Sequence, residues 1–132
     1  MGPNLISWSI KKHVTVAKSS TEVEYRALSA ATSEVLWLRR LAEELQMQQN
    51  SPTTIHCDNI SAIAIAKNPI FHARTKHFEI DFQFICQHIS NGNIRIQHIP
   101  SHEQTADILT KPFSSSRFKF LCSKLSIRSL NA

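Results

Sequence analysis

Apolar and polar residues alternate at the start of the chain. Ile6, Trp8 and Ile10 fall on one side of the alternation, and Val14 and Val16 repeat it. A period of two predicts extended chain over residues 5–18, bent at Lys11-Lys12. The period then changes. S-S-T-E, Ser19 to Glu22, is a capping box that opens a helix. Leu28, Ala31, Val35, Leu38, Ala42 and Leu45 follow at spacings of three and four, so the helix runs to about Met47 with those residues inward. Gln48 to Pro52 reads as a turn. A β-branched run predicts a strand at 54–58. The alanine- and isoleucine-rich run after it predicts a helix at 60–67, stopped by Asn68-Pro69.

Residues 70–76 form a basic stretch expected to be a loop. A helix is predicted over 77–90 with Ile80, Phe84, Ile85 and Ile89 inward. Asn91-Gly92-Asn93 is a turn. I-R-I-Q-H-I alternates and predicts a strand at 94–99. Pro100-Ser101 should begin a helix reaching about Thr110, Lys111-Pro112 should break it, and a last helix should cover 114–126. The expected order is β-α-β-α-α-β-α-α. With no internal repeat and no linker, residues 1–132 read as one mixed α/β domain.

Composition supports a folded chain, since 42 % of the 132 residues are hydrophobic. Only two glycines occur, Gly2 and Gly92, which argues against a glycine-rich phosphate loop. The formal net charge of +5 suits a polyanionic partner without demanding one. Cys57, Cys86 and Cys122 show no CxxC spacing, so reduced thiols are expected rather than zinc or a disulfide framework. The N-terminus lacks the apolar core of a signal peptide, and Ile6 stands where a myristoylation signal needs Ser or Thr. No apolar run approaches membrane-spanning length. A soluble, intracellular protein with no membrane partner is expected.

Three acids lie near the ends of predicted elements. Glu24 is four residues before Leu28, in line with the buried stripe of the first helix. A first-turn acid favoured by the helix dipole explains it equally well. Asp58 ends a strand, where ligand sites of α/β sheets gather. It or Asn59 would equally serve as the cap of the next helix. Asp107, in T-A-D-I-L-T-K, is also a first-turn acid with Lys111 four residues on. Hard oxygen donors from three separate segments would suit magnesium or manganese. His72, Arg74, Lys76 and His77 crowd one short segment and could follow phosphates, or form a solvated loop. His102, five residues before Asp107, is a candidate proton carrier or an ordinary surface histidine.

Several segments together resemble a known family. They are W-S-I-K-K from Trp8, S-S-T-E-V-E-Y-R-A-L from Ser19, L-W-L-R-R from Leu36, C-D-N-I-S-A from Cys57, N-P-I-F-H-A-R-T-K-H from Asn68 and Q-T-A-D-I-L-T-K-P from Gln104. In this order and spacing, from about residue 5 to 125, they look like the ribonuclease H domain of copia-type LTR retrotransposon Pol polyproteins. The resemblance implies a ribonuclease H-like fold, a mixed sheet flanked by helices. It implies hydrolysis of the RNA strand of RNA–DNA hybrids during reverse transcription. It also implies two Mg2+ or Mn2+ ions and an upstream reverse transcriptase segment in the same polyprotein. It carries the family's metal-binding acids onto Glu24, Asp58 and Asp107. Asn59, His72, Arg74, Lys76, His77, Lys11 and Lys12 are then expected on the nucleic acid. The compartment would be a cytoplasmic virus-like particle or the nucleus.

One departure matters. The family's first aspartate lies on a strand upstream of I-S-W-S, and no acid precedes Glu22 here. The first two strands of the fold therefore have no counterpart, and an N-terminally truncated copy is expected. Such a chain would be impaired alone. It could be a piece normally preceded by more polyprotein, a catalytically dead nucleic-acid-binding remnant, or a non-functional gene fragment.

Overall fold

Ser19 fixes where regular structure begins. In the computed structural model, which describes residues 4–12, 19–68 and 76–128 (of Lys76 and His77 the backbone alone), its hydroxyl accepts from the Glu22 N–H at 3.2 Å. Glu22 also pairs with Arg26 one turn on, at 2.8 Å. This is the expected capping box, and it starts helix α1, Ser20–Glu44. Strand β1 is Thr53–Cys57, helix α2 Ile60–Lys67, helix α3 Lys76–Ser90 and strand β2 Ile94–His98. Two 3-10 turns, Ser101–Glu103 and Thr105–Leu109, precede helix α4, Ser115–Lys124. The chain is thus mixed α/β, with four α-helices and one small sheet among the described residues. It divides into two compact units, Ala17–Ile99 and a second formed by Met1–Val16 with Pro100–Ala132.

In the unit Ala17–Ile99, β1 and β2 pair in parallel with Ile55 opposite Ile96. Alternation sends Ile55, Cys57, Ile94 and Ile96 to a buried face. Tyr25 and Leu28 from α1, Ala62, Ile63 and Ala66 from α2, and Phe82 and Ile85 from α3 complete that core. The opposite face carries Thr54, His56, Arg95 and Gln97, and Arg95 donates to the Thr54 hydroxyl at 2.9 Å. Ser29 donates to the Asp81 carboxylate at 2.7 Å, which ties α1 to α3. Arg39 gathers the segment between α1 and β1: its guanidinium donates to the carbonyls of Gln49 and Ser51 and to the Thr53 hydroxyl, at 2.8–3.0 Å.

Three helices end by one device. After α1, Gln46 takes φ +59 and the Met47 N–H reaches back to the Ala42 carbonyl. After α3, Gly92 takes φ +70 and Asn93 reaches His88; after α4, Ser126 takes φ +57 and Ile127 reaches Cys122. Each is a Schellman end, which glycine suits best. Gln46→Gly should therefore raise stability by about 0.5–1 kcal/mol, the strain relieved less the added freedom of the unfolded chain. Thermal unfolding of the variant against the parent measures it.

Four expectations need correction. Residues 5–12 are not a strand: Ile6, Trp8 and Ile10 are 56–66 % exposed and no ladder includes them. Alternation supplies faces, but a strand also needs a partner for its backbone groups; residues 13–18 lie outside the described ones. The helix expected over 101–110 is two 3-10 turns. Gln104, extended at ψ 101, separates them, and neither segment has an apolar stripe to hold a longer helix. Leu45 is the cap residue of α1 and 64 % exposed, because the helix already turns away there. On α3, Phe84, Ile85 and Ile89 pack inward as expected and Phe78 and Phe82 join them, but Ile80 does not and is 65 % exposed.

In the second unit, α4 is capped by Ser114, which accepts from Arg117, and it buries Leu121 completely. Arg117 donates to the His102 carbonyl and lies over the rings of Phe113 and Phe120.

Candidate metal centre

Two pieces of local chemistry fix Asp58. Cys57, the last residue of β1, is 3 % exposed and locked into the core. Asn59 caps α2, its side-chain oxygen accepting from the Ala62 N–H at 2.9 Å. Asp58 is held between them, half-buried, with no capping duty of its own. The alternative of Asp58 as the cap is thereby removed, and the Asn59 oxygen is committed to the backbone.

Glu24 is positioned from the other side. It lies one turn into α1, beside Tyr25, whose ring is fully buried and stacks obliquely on Phe78 with centroids 4.8 Å apart. Burial also pushes the Tyr25 phenol well above its ordinary range, with the neighbouring Cys86 and Asp81 adding to the shift. Its hydroxyl has no hydrogen-bond partner among the described residues. A tyrosine pinned this deeply leaves the preceding residue little freedom to wander.

The result is a cluster in which one carboxylate oxygen of Glu24, one of Asp58 and the Cys57 sulfur all lie within 4.8 Å of one another. Two carboxylates this close repel, and a divalent cation between them would turn that cost into binding energy. The donor set fits such an ion. Two hard oxygens at a half-buried position suit magnesium or manganese, with waters completing the shell. Cys57 adds little to it. Burial raises its thiol above the ordinary value, a backbone hydrogen bond at Asn59 partly opposes this, and the charges of Glu24 and Asp58 raise it further. It stays a protonated, soft and weak donor at neutral pH.

Asp107 sits on the second 3-10 turn, in the unit containing residues 100–132, and pairs with Lys111 at 2.9 Å. The i,i+4 partner seen in the sequence is therefore real. His102 lies on the first 3-10 turn, exposed, with its ring nitrogen 3.9 Å from Glu103. Lys11 and Lys12 are exposed in irregular chain. Lys76 and His77 open α3, while their side chains, and all of His72 and Arg74, lie outside the described residues. Of the acids singled out in the sequence, the structure brings Glu24 and Asp58 together. Cys57 was read there only as a buried thiol. The signal for more was its place directly before Asp58 at a strand end.

The sequence is 42 % identical over 127 residues to the retrovirus-related Pol polyprotein from transposon RE1 of Arabidopsis thaliana, covering 96 % of this chain. The chain is homologous to one segment of transposon Pol polyproteins. The counterpart from transposon RE2 of the same plant is 41 % identical over 96 % of the chain, and that from transposon TNT 1-94 of Nicotiana tabacum is 37 % identical over 91 %. This chain spans about 9 % of the length of each of these polyproteins. No family model matches the sequence, and no solved structure matches it. Among the described residues, no helix is long and apolar enough to cross a membrane.

Proposed function

We propose that this Pol segment is a ribonuclease H-type hydrolase with a ribonuclease H-like fold, acting on the RNA strand of RNA–DNA hybrids during reverse transcription. The observation that carries the reading is the meeting of Glu24 and Asp58 beside the end of β1. The Pol relatives supply the setting. Glu24 and Asp58 would hold Mg2+ or Mn2+, with Asp107 as the third acid. Bound there, the ions would supply Lewis acidity toward the scissile phosphodiester. The chain's own residues bind and orient. Asn59 keeps its amide N–H groups for the strand being read, since its oxygen is committed to Ala62. His72, Arg74, Lys76, His77, Lys11 and Lys12 follow the phosphates. His102, open to water, carries the proton. An upstream reverse transcriptase segment of the same polyprotein is the natural partner.

The test compares two proteins, because the chain spans about 9 % of the length of its Pol relatives. One is this chain. The other is this chain joined to the residues that precede the matching segment in the RE1 polyprotein. With magnesium, the joined protein should cut the RNA of a labelled RNA–DNA hybrid at least about tenfold faster than this chain alone, and should spare duplex DNA. Equal cutting of duplex DNA, cutting unaffected by a chelator, or no cutting by either protein would sink the reading.

A second reading is favoured by the net charge of +5: a module that binds nucleic acid without cutting it. It requires hybrid binding whose affinity falls steeply with added salt and is indifferent to Asp58→Asn.

A further inference from the structure

The sheet of Ala17–Ile99 leaves one edge of β2 unpaired among the described residues, because its strand order is simply β1-β2. The parallel register shows which groups line that edge. The Thr53 N–H donates to the Asn93 carbonyl and the Ile99 N–H to the Cys57 carbonyl, each at 3.0 Å. These two bonds bracket the pairs Thr53–Ile94, Ile55–Ile96 and Cys57–His98. In such a ladder Arg95 and Gln97 turn their backbone groups to β1, so Ile94, Ile96 and His98 turn theirs outward. The donors and acceptors of these three residues form a template for one more strand.

A groove of about 510 Å³ runs along β2, lined by residues 94–98 together with Pro52, Lys67 and Ile89. Pro52 and Ile89 give it apolar wall. Lys67, Arg95 and His98 are exposed, and no carboxylate lines the groove among the described residues. Its charge therefore selects for an anionic occupant.

We propose that the free edge of β2 takes up an extended acidic peptide as a third strand. The backbone of Ile94, Ile96 and His98 supplies the ladder, and Lys67 and Arg95 supply the preference for acidic side chains. Two other occupants fit less well. A nucleic acid backbone offers phosphate acceptors, which would leave the outward carbonyls of these three residues facing negative charge. A second copy of this chain, pairing β2 against β2, would bring two sets of Lys67, Arg95 and His98 together. A peptide strand satisfies donors and acceptors alike.

The probe is a blocked peptide of alternating glutamate and valine, about seven residues long, titrated into the isotopically labelled full chain and followed by amide NMR. Binding should slow hydrogen exchange at the amides of Ile94, Ile96 and His98, and leave Arg95 and Gln97, already bonded, little changed. A lysine–valine peptide should not bind. His98→Pro removes one outward N–H at an exposed edge position, where proline is tolerated, and should weaken binding about tenfold or more. Lys67→Glu should weaken it by a similar factor through charge alone, and it carries the test should His98→Pro fail to fold. Equal binding of the lysine peptide, unchanged exchange at the three amides, or displacement of the peptide by an RNA–DNA hybrid at this edge would overturn the proposal. Protection of the same amides in the peptide-free chain, rising with its concentration, would assign the edge to self-association instead.

Discussion

Asp58→Asn should reduce the affinity of this chain for Mn2+ at least about tenfold, and Glu24→Gln should do the same. Each substitution is close to isosteric and removes the negative charge of one of the two hard donors that lie within 4.8 Å of each other. Cys57→Ala should change the affinity by less than about twofold, because a buried, protonated thiol is a poor partner for a hard ion. Calorimetric titration reads all three variants. A second readout comes from linkage. An ion that binds only the folded chain stabilises it by about 2.7 kcal/mol at a hundred times its dissociation constant. Excess Mn2+ should therefore raise the melting temperature of the parent and of Cys57→Ala, and raise that of Asp58→Asn and Glu24→Gln by about half as much or less. Equal shifts in all four proteins would place the ion elsewhere.

Ile85→Ala should destabilise the fold by about 3–4 kcal/mol, while Ile80→Ala on the same helix should cost less than about 0.5 kcal/mol. Ile85 is completely buried, in the core where α1, α2, α3 and the sheet meet. Removing its outer carbons forfeits their transfer energy and leaves a cavity that rigid neighbours cannot fill. Against a typical total of about 5–15 kcal/mol, that is a large share. Ile80 is 65 % exposed and loses little. Urea denaturation of both variants decides the phase of the helix. Comparable losses would mean that Ile80, not only Ile85, faces the interior.

The contrast between these two isoleucines shows what the sequence could not resolve. Apolar residues at 78, 80, 82, 84, 85 and 89 allow more than one stripe on a helix. The stripe through Phe78 prevails because Phe78 meets the ring of Tyr25 on α1, a contact between residues far apart in the chain. Local chemistry was legible: the Ser19 cap set the start of α1, and the Asn68-Pro69 stop set the end of α2, within a residue of expectation. Non-local chemistry was not. Ile6, Trp8 and Ile10 alternate as a strand would, but pairing depends on a partner that their own letters do not name. The candidate site divides in the same way. Asp58 was visible as a strand-end acid and Glu24 as a residue in line with the buried stripe. Their meeting required the packing of α1 against β1. Cys57 was legible as a buried thiol, and its sulfur's place beside both carboxylates was not.

Arg39 has a bearing on how this chain can change over generations. It holds the connection from α1 to β1 mainly through the carbonyls of Gln49 and Ser51, atoms that every amino acid possesses. Mutations can therefore rewrite the letters of that connection while its path stays put. The arginine itself has no such latitude, since lysine offers a single nitrogen and cannot span acceptors on three residues at once. Drift in the connection should therefore be tolerated for as long as that arginine is kept.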